Sequence, residues 1–372
     1  MEQFNKKMTH FIKTLKYFTL VVLLAGLAIA CQQSAPVASE TQVSEQTTTV
    51  SESATETEKL NISATIFPVY DIARQIVGDK GNVTLVMDPG DSPHTYETTP
   101  SDMIEVSKAD LILAIGNELD HWIETMVEDS SAEIVTVDAN IALRPYEDEH
   151  DDHDDHDKHD DHDGHDDHDK HDDHDKHDDH DGHDDHDKHD DHDGHDDHEG
   201  HNHGEFDPHY WLSAKNGKIM AANIAAAISE IDPDNSDYYQ ANVSTFQSSI
   251  DEINTQIVEL ATPIASKPFI PLHDAWYYYS EEFNLNIVDN FFPGGQHQST
   301  PQHTVELTEK VETLGVTAIF SEIGLDTSAI KGFAEDNDLT ISELDPLGGS
   351  PQTQNYQDLL LQNMKWINEG LK

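Results

Sequence analysis

The stretch VTLVMDPGDSPH, residues 83–94, contains the pattern that decides the fold. Its first five residues are almost all apolar, which is typical of a short strand buried on both faces. The Asp, Pro, Gly and Ser residues that follow have strong turn chemistry, and a histidine comes directly after them. Similar apolar runs occupy residues 62–66, 111–115 and 134–137, with helical patterns between some of them. This alternation predicts a parallel sheet in an α/β lobe.

The second half of the chain repeats the alternation after two helical segments. Residues 218–231 have an Ala-rich helical pattern, and apolar residues recur every three or four positions over residues 236–260. The longer pattern predicts a helix of about 37 Å, which exceeds what one small lobe needs. We therefore predict two α/β lobes, each with a small mainly parallel sheet flanked by helices, joined by one long rigid helix with a cleft between the lobes. Apolar runs that supply the second sheet lie at residues 269–272, 287–288, 317–320 and 339–344.

The N-terminus has the composition of an export signal. Four lysines precede an apolar run at residues 18–30, which is too short to span a bilayer comfortably but suits a secretory signal core. The run ends in LAIAC, and Cys31 is the only cysteine of the chain. This resembles a bacterial lipoprotein signal, so we predict a signal peptide over residues 1–30. Lipid on Cys31 would then hold the protein on the extracytoplasmic face of the cell membrane. That face borders the periplasm if the cell is Gram-negative.

The rest of the chain divides by composition. Residues 31–60 are rich in Ser, Thr, Glu and Gln, which predicts a flexible tether. We place the N-terminal lobe at residues 61–232, the linking helix at residues 233–263 and the C-terminal lobe at residues 264–372. A low-complexity insertion at residues 147–204, named the His/Asp tract, interrupts the N-terminal lobe.

The His/Asp tract dominates the charge of the protein. The chain has 20 Lys and Arg against 75 Asp and Glu, a formal net charge of −55, which argues against nucleic acid as a partner. Most of the 26 histidines lie in the tract, at every third position. That spacing matches neither a helix nor a strand, so we expect the tract to be disordered without metal. Its imidazoles and carboxylates favour a multivalent store of divalent metal over a merely solubilising acidic spacer.

Four residues outside the tract are candidates for an ordered metal site. His94 and His273 follow predicted strands, Asp345 directly follows another, and His209 lies where the chain leaves the tract. Ligands of open α/β sheets bind outside the carboxyl ends of the strands, so these side chains are expected to converge on one edge of the cleft. Three neutral imidazoles and one carboxylate satisfy four-coordinate zinc.

Five stretches resemble, in order, the motifs of a known family: FPVY at 67–70, PGDSPHTY with PSD over 89–102, DPHYW at 207–211, HDAW at 273–276 and LDPLGG at 344–349. With these motifs the chain resembles the metal-specific solute-binding proteins of bacterial ABC importers, zinc-uptake type (solute-binding protein 9, cluster A-I). The resemblance implies a metal held between the lobes by His94, His209 and His273. It maps the fourth position to Asp345, which some zinc members replace with water or another carboxylate. It also implies an ABC permease and its ATPase as partners.

The donor set favours Zn²⁺ as the transported ligand over Mn²⁺. Manganese relatives of this fold carry a carboxylate where His273 stands, and a third imidazole softens the site towards zinc. Other residues are weaker candidates. Glu118 and His121 fit the surface better than the cleft, and Asp274 either orients a ligand imidazole or caps the next helix. His297 and His303 are also weak candidates for the mouth of the cleft, and Glu322 is a weak candidate for supporting a ligand from behind.

Three functions fit such a chain, and the first is our prediction. A monomeric, tethered protein captures zinc outside the membrane and delivers it to the permease, and it catalyses no reaction. The second function is zinc-dependent hydrolysis, but the sequence has no His-Glu-x-x-His helix and no obvious general base. The third is a metal buffer or adhesin, in which the tract is the functional part and the lobes are passive.

Overall fold

The computed structural model describes residues 59–127, 132–146, 204–293, 299–325 and 327–372. All of them belong to one compact unit, Thr57–Lys372. The predicted signal peptide, the lipid anchor at Cys31, the tether as far as residue 58, the His/Asp tract as far as residue 203, and His297 lie outside the described residues. The predicted lobe boundaries stay predictions.

The N-terminal lobe is built on a sheet of four parallel strands. They are β1 (Leu60–Ala64), β2 (Gly81–Leu85), β3 (Leu111–Ala114) and β4 (Glu133–Thr136), in the spatial order β2-β1-β3-β4. Helix α1 (Phe67–Val77) connects β1 to β2, and a short helix, α2 (Pro100–Val106), precedes β3. All four residues of β3 are buried, as its continuous apolar run predicts for a central parallel strand. A 3-10 turn, rather than an α-helix, lies between β3 and β4.

Two long helices lead from this lobe to the next. Helix α3 (Ala214–Ile231) packs against α1 and against α4 (Ser236–Ala261). With 26 residues, α4 is about 39 Å long at 1.5 Å per residue. It packs against helices of both lobes because its buried side chains recur at helical spacing: Tyr239, Val243, Phe246, Ile250 and Ile257.

The C-terminal lobe repeats the parallel design. Strands β5 (Pro268–Pro271), β6 (Asn286–Ile287), β7 (Ala318–Glu322) and β8 (Thr340–Leu344) lie in the order β6-β5-β7-β8. Its helices are α5 (Tyr277–Phe283), α6 (Pro301–Leu314), α7 (Ser328–Asp336) and α8 (Tyr356–Gly370). Helix α8 packs on β8 and on α4. The two-lobe α/β fold predicted from the sequence is confirmed.

One hydrophobic core continues through both lobes. It includes Ile62 and Leu113 of the first sheet, Phe246 of α4, and Phe320 and Leu360 of the second lobe. A separate cluster covers the other face of the second sheet, between β5, β7, α6 and α7. Among the described helices, none combines the length and the apolar character that crossing a membrane requires.

Hydrogen bonds also connect the lobes directly. The buried carboxylate of Asp71, on α1, accepts from the backbone N–H of Tyr356 at the start of α8 (2.8 Å). The indole N–H of Trp211, in the turn before α3, donates to the carbonyl oxygen of Pro346 after β8 (2.8 Å). These contacts fix the loops that border the cleft relative to one another.

Candidate metal centre

The loop after β2 carries His94. It is held by contacts with the 3-10 turn that follows β3. The indole N–H of Trp122 donates to the carbonyl oxygen of Pro93 (3.2 Å). The Trp122 ring packs on the ring of Tyr96, with 4.6 Å between centroids. The Tyr96 hydroxyl in turn donates to Asp102 in the first turn of α2 (2.8 Å). His94 is therefore fixed by attachments on both sides of it in the sequence.

His209 begins the 3-10 turn that leads into α3. Its backbone N–H and its ring Nδ1–H both donate to Oδ1 of Asp207, at 2.9 and 2.8 Å. Both residues are buried. A hydrogen bond at Nδ1 fixes the tautomer of an imidazole and leaves Nε2 as the metal-binding nitrogen.

His273 lies two residues after β5, and its partner lies at the end of the neighbouring strand. Its Nδ1 lies 2.6 Å from Oε1 of Glu322, the last residue of β7. The same oxygen accepts from the indole N–H of Trp276 (3.1 Å). Burial opposes charge on the His273 ring, but the negative charge and hydrogen bond of Glu322, with the charges of Asp274 and Asp207, outweigh it. Together they raise the pKa of His273 to about 9.

The structure brings the three histidines together. One ring nitrogen from each of His94, His209 and His273 lies within 4.8 Å of the others. The Nε2 atoms of His94 and His209 are 3.3 Å apart. Two nitrogens bound to one tetrahedral zinc ion at 2.0–2.1 Å would be separated by about 3.3 Å. The imidazoles therefore have the spacing of metal ligands.

The group lies in a cleft formed by both lobes. Pro93 and His94 contribute from the N-terminal lobe, and Phe292, Leu325 and Leu347 from the C-terminal lobe. Besides the histidines, the polar residues that line the cleft are Asp91, Ser92 and Glu322, and Glu322 is bonded to His273. The nitrogen donors that converge in the cleft are the three imidazoles, a ligand type that suits zinc, copper and nickel.

Buried carboxylates lie near the imidazoles, and two of them bond to the Nδ1 atoms of His209 and His273. Asp207, Asp274 and Glu322 are each less than 5% exposed. Among the described residues, Oδ2 of Asp207 and Oδ1 of Asp274 are buried without a hydrogen-bond partner. Three neutral imidazoles leave the charge of a divalent ion uncompensated, and burying such a charge is costly. The negative charge of these carboxylates would compensate a divalent ion bound by the imidazoles.

Asp345 does not join the group. The ligand atoms that cluster belong to the three histidines, and the Asp345 carboxylate is not among them within the part of the chain that the structure describes. Its Oδ1 accepts from the backbone N–H groups of Leu347 (3.2 Å) and Gly348 (2.7 Å). Its Oδ2 accepts from the hydroxyl of Thr353 (2.6 Å). Both oxygens are thus bonded within the loop that follows Asp345, and the expectation that Asp345 is the fourth ligand stays a prediction.

The weaker candidates take separate places. His121 is exposed and bonds through Nδ1 to the carbonyl oxygen of Glu118 (3.0 Å), so the surface position favoured for both residues agrees with the structure. Nε2 of His303 lies 2.9 Å from the carbonyl oxygen of Asn290. His303 is therefore bound to the backbone rather than to the three-histidine group. Glu322 lies behind His273 and bonds to its ring, whereas Oδ1 of Asp274 is buried without a hydrogen-bond partner among the described residues.

Asp207 is the site residue that sequence reasoning missed. It stands two positions before His209 in the DPHYW motif. An Asp at that spacing can accept from the backbone N–H two residues on, a common local pattern. The signal was present in the sequence, but it could not indicate that the same oxygen also reaches the imidazole ring.

Fold and site together define a two-lobed α/β protein with a metal site in the cleft. The family model described as ZnuA, zinc-uptake complex component A, periplasmic, matches residues 62–370. The chain belongs to this family, the metal-binding solute-binding proteins of bacterial ABC importers, whose members are binding proteins rather than enzymes. The family resemblance drawn from the motifs is confirmed.

The relatives include both zinc and manganese proteins. The high-affinity zinc uptake system protein ZnuA of Brucella abortus is 28% identical over 169 residues, which are 45% of this chain and 50% of that protein. The chain thus spans about half the length of this relative. The manganese ABC transporter substrate-binding lipoprotein PsaA of Streptococcus mitis is 24% identical, over 84% of this chain and 90% of that one. A crystal structure of ZnuA covers 85% of this chain with a TM-score of 0.65 and 21% identity, which supports the fold.

Proposed function

We propose that the protein captures Zn²⁺ outside the cytoplasmic membrane and delivers it to an ABC permease driven by an ATPase. His94, His209 and His273 hold the ion between the lobes, and the chain acts as a monomer anchored by lipid on Cys31. The observation that carries the proposal is the convergence of three imidazole nitrogens within 4.8 Å. The lipoprotein name of the Streptococcus mitis relative supports the anchor.

Zinc is proposed over manganese because of the donor atoms. Hard oxygen ligands suit manganese, whereas imidazole suits zinc. The carboxylate of Glu322, which lines the cleft, is bonded to His273 and Trp276 and serves as a hydrogen-bond acceptor. Copper and nickel also bind imidazole strongly, so selection against them rests on four-coordinate geometry and on supply.

The test is zinc retention by alanine variants of each ligand histidine. The mature protein is loaded with Zn²⁺ and dialysed against a chelator strong enough to strip weakly bound ions from the tract, and the remaining zinc is measured by mass spectrometry. Wild type is expected to keep one ion per chain. Loss of a direct ligand is expected to lower the affinity by more than about 100-fold, the upper range for removing a supporting residue.

The matched control is His121→Ala, which removes an exposed histidine bonded only to a nearby carbonyl among the described contacts. It is expected to retain zinc as wild type does. Wild-type retention in all three ligand variants would refute the site. Retention of manganese in preference to zinc by the wild type would leave the site in place but reject zinc as the cargo.

We propose that the His/Asp tract collects metal but is not the transport site. The residues on either side of the tract pair through their backbones: the N–H of Tyr146 donates to the carbonyl of Glu205 (3.2 Å), and the N–H of Asp207 donates to the carbonyl of Arg144 (2.8 Å). Deleting residues 151–199 is therefore expected to leave one tightly held zinc ion and growth that suffers only under severe zinc limitation. Complete loss of uptake after this deletion would favour the metal-buffer alternative.

A further inference from the structure

The short helix α5 contacts the chain on both sides of the turn that carries His209. That turn runs from His209 to Leu212 and leads into α3. On the other side, α5 is continuous with His273, because only the 3-10 turn Asp274–Trp276 stands between them. The helix that follows one ligand histidine therefore reaches the segment that carries another.

Tyr278 of α5 binds the segment before the turn. Its hydroxyl donates to the backbone carbonyl oxygen of Asp207 (3.0 Å) and accepts from the backbone N–H of Arg144 (2.7 Å). Asp207 is the residue whose carboxylate accepts from the ring and the backbone N–H of His209. Tyr278 is buried, so loss of its hydroxyl would leave both backbone groups without this partner.

Glu282 of α5 binds the segment after the turn. Its carboxylate accepts from the hydroxyl of Ser213 (2.5 Å) and from the backbone N–H of Lys215 (3.2 Å), in the first turn of α3. A negative charge near the N-terminus of a helix is favourable. Tyr278 and Glu282 are four residues apart, so they lie one above the other on the same face of α5.

Other residues of α5 fix the helix to the C-terminal lobe. The hydroxyl of Tyr279 donates to the carbonyl oxygen of Leu360 on α8 (2.7 Å). The hydroxyl of Tyr277 accepts from the side chain of Asn290, after β6 (2.7 Å). Because close-packed elements do not deform freely, a helix bonded on both sides holds the His209 turn at a defined place in the lobe that carries His273.

We infer that Tyr278 and Glu282 are positioning residues for metal binding: from one face of α5 they hold the turn that carries His209 at a fixed distance from His273. The inference rests on the proposed binding of Zn²⁺ by the three histidines. Asp207 orients the ring of His209, and α5 fixes the backbone on which that ring is mounted.

The experiment removes each contact with a small change. Tyr278→Phe deletes the hydroxyl and keeps the ring, and Glu282→Ala deletes the carboxylate. Glu282→Gln is the rescue variant, because its amide oxygen can still accept from Ser213 and Lys215. Chelator competition with substoichiometric zinc, on the mature protein with its tract, measures zinc affinity. Thermal unfolding of the metal-free protein measures stability.

Tyr278→Phe and Glu282→Ala are each expected to lower zinc affinity by about 10-fold. This is the lower end of the range for residues that support ligands, because both act through the backbone around His209. Glu282→Gln is expected to regain most of the affinity. A merely structural role would lower the unfolding temperature and leave the affinity of the folded protein unchanged.

Tyr239→Phe is the matched control for the loss of a hydroxyl. Tyr239 is buried, and its hydroxyl donates to Asp232 (2.5 Å). Asp232 follows the far end of α3, about 27 Å along the helix from the His209 turn. This variant is expected to lose stability and to keep wild-type zinc affinity. Glu252→Ala, which removes an exposed carboxylate of α4, is the control for the loss of a charge.

Wild-type zinc affinity in both Tyr278→Phe and Glu282→Ala would overturn the inference. An equal loss of affinity in Tyr239→Phe would also overturn it, because affinity would then follow stability alone. If Glu282→Gln binds zinc as weakly as Glu282→Ala, the charge of Glu282 matters and its positioning role is rejected. Failure of the underlying function has a different signature, in which His273→Ala retains zinc as tightly as wild type.

Discussion

Nδ1 of His273 lies 2.6 Å from Oε1 of Glu322, although 49 residues separate the two in the sequence. The parallel pairing of β5 with β7 brings their ends together, so His273, two residues beyond the end of β5, meets the last residue of β7. This pair orients the imidazole and, before metal binds, keeps a proton on it, because the carboxylate raises its pKa to about 9. Metal binding must therefore displace that proton.

The first prediction is that zinc binding at pH 8 releases about one proton per ion from the ordered site. The tract is the same in wild type and in Glu322→Gln, so any proton that it releases cancels in the comparison of the two proteins. Glu322→Gln is expected to reduce the release well below one proton, because burial then lowers the pKa of His273 unopposed by this charge. Calorimetry with substoichiometric zinc, in buffers of different ionisation enthalpy, measures the number. Equal release from both proteins would contradict the assignment.

The same pair has a consequence for the stability of the metal-free protein. The pKa of His273 is raised in the folded state from 6.5 to about 9. Its contribution to the free energy of unfolding is therefore complete below about pH 6.5 and is lost as the pH rises through about 9. The difference in unfolding free energy between wild type and Glu322→Gln is expected to shrink from pH 6 to pH 10. The tract cancels in this comparison because both proteins contain it.

The second prediction concerns Asp207. Asp207→Asn keeps an oxygen that can accept from the backbone N–H and the ring of His209, but it removes one of the buried negative charges near the site. We expect zinc affinity to fall by about 10- to 100-fold with the fold intact. Chelator competition measures the affinity, and the exposed Asp234→Asn is the control for loss of a distant charge. Unchanged affinity would show that charge behind His209 contributes nothing.

The third prediction separates a buried contact between the lobes from a surface ion pair. Asp71 is fully buried and accepts from the backbone of Tyr356 and the side chains of Gln75 and Arg74. Asp71→Ala leaves the buried N–H of Tyr356 without this partner and is expected to lower the free energy of unfolding by about 1–3 kcal/mol. Arg74→Ala removes a side chain that is 52% exposed and is expected to cost less than about 1 kcal/mol. Urea unfolding of both variants makes the comparison, and equal losses would contradict it.

The sequence alone predicted where the strands end and which histidines follow them. The rule that ligands gather at the carboxyl edge of a parallel sheet brought His94 and His273 to one site before any coordinates were known. That rule also placed Asp345 at the edge, but it says nothing about the direction of a side chain. The direction depends on the left-handed glycines at 348 and 349, which turn the backbone amide back onto the carboxylate.

The carboxylate partners of the ligand rings were harder to predict for a related reason. Glu322 and Asp274 both stood near strand ends, and the sequence offered no means to decide which one reaches His273. The register of β5 against β7, in which Pro271 pairs with Phe320, determines which carboxylate reaches His273. Register of parallel strands is set by packing of the lobe as a whole, so a single sequence does not reveal it.

The final prediction tests how closely the lobes must approach for the metal to be held. A Cβ on Gly324, in the loop after β7, would lie 2.7 Å from the carbonyl oxygen of Gly90, in the loop that leads to His94. Gly324 also has a φ of +91°, which side chains rarely adopt. Gly324→Ala is therefore expected to separate the two loops and to speed zinc release into excess chelator, measured by stopped flow, while all three ligand histidines remain. Gly332→Ala, which meets no atom within 4 Å, should release zinc at the wild-type rate. If both variants release zinc alike, the approach of Gly90 and Gly324 has no part in retaining the ion.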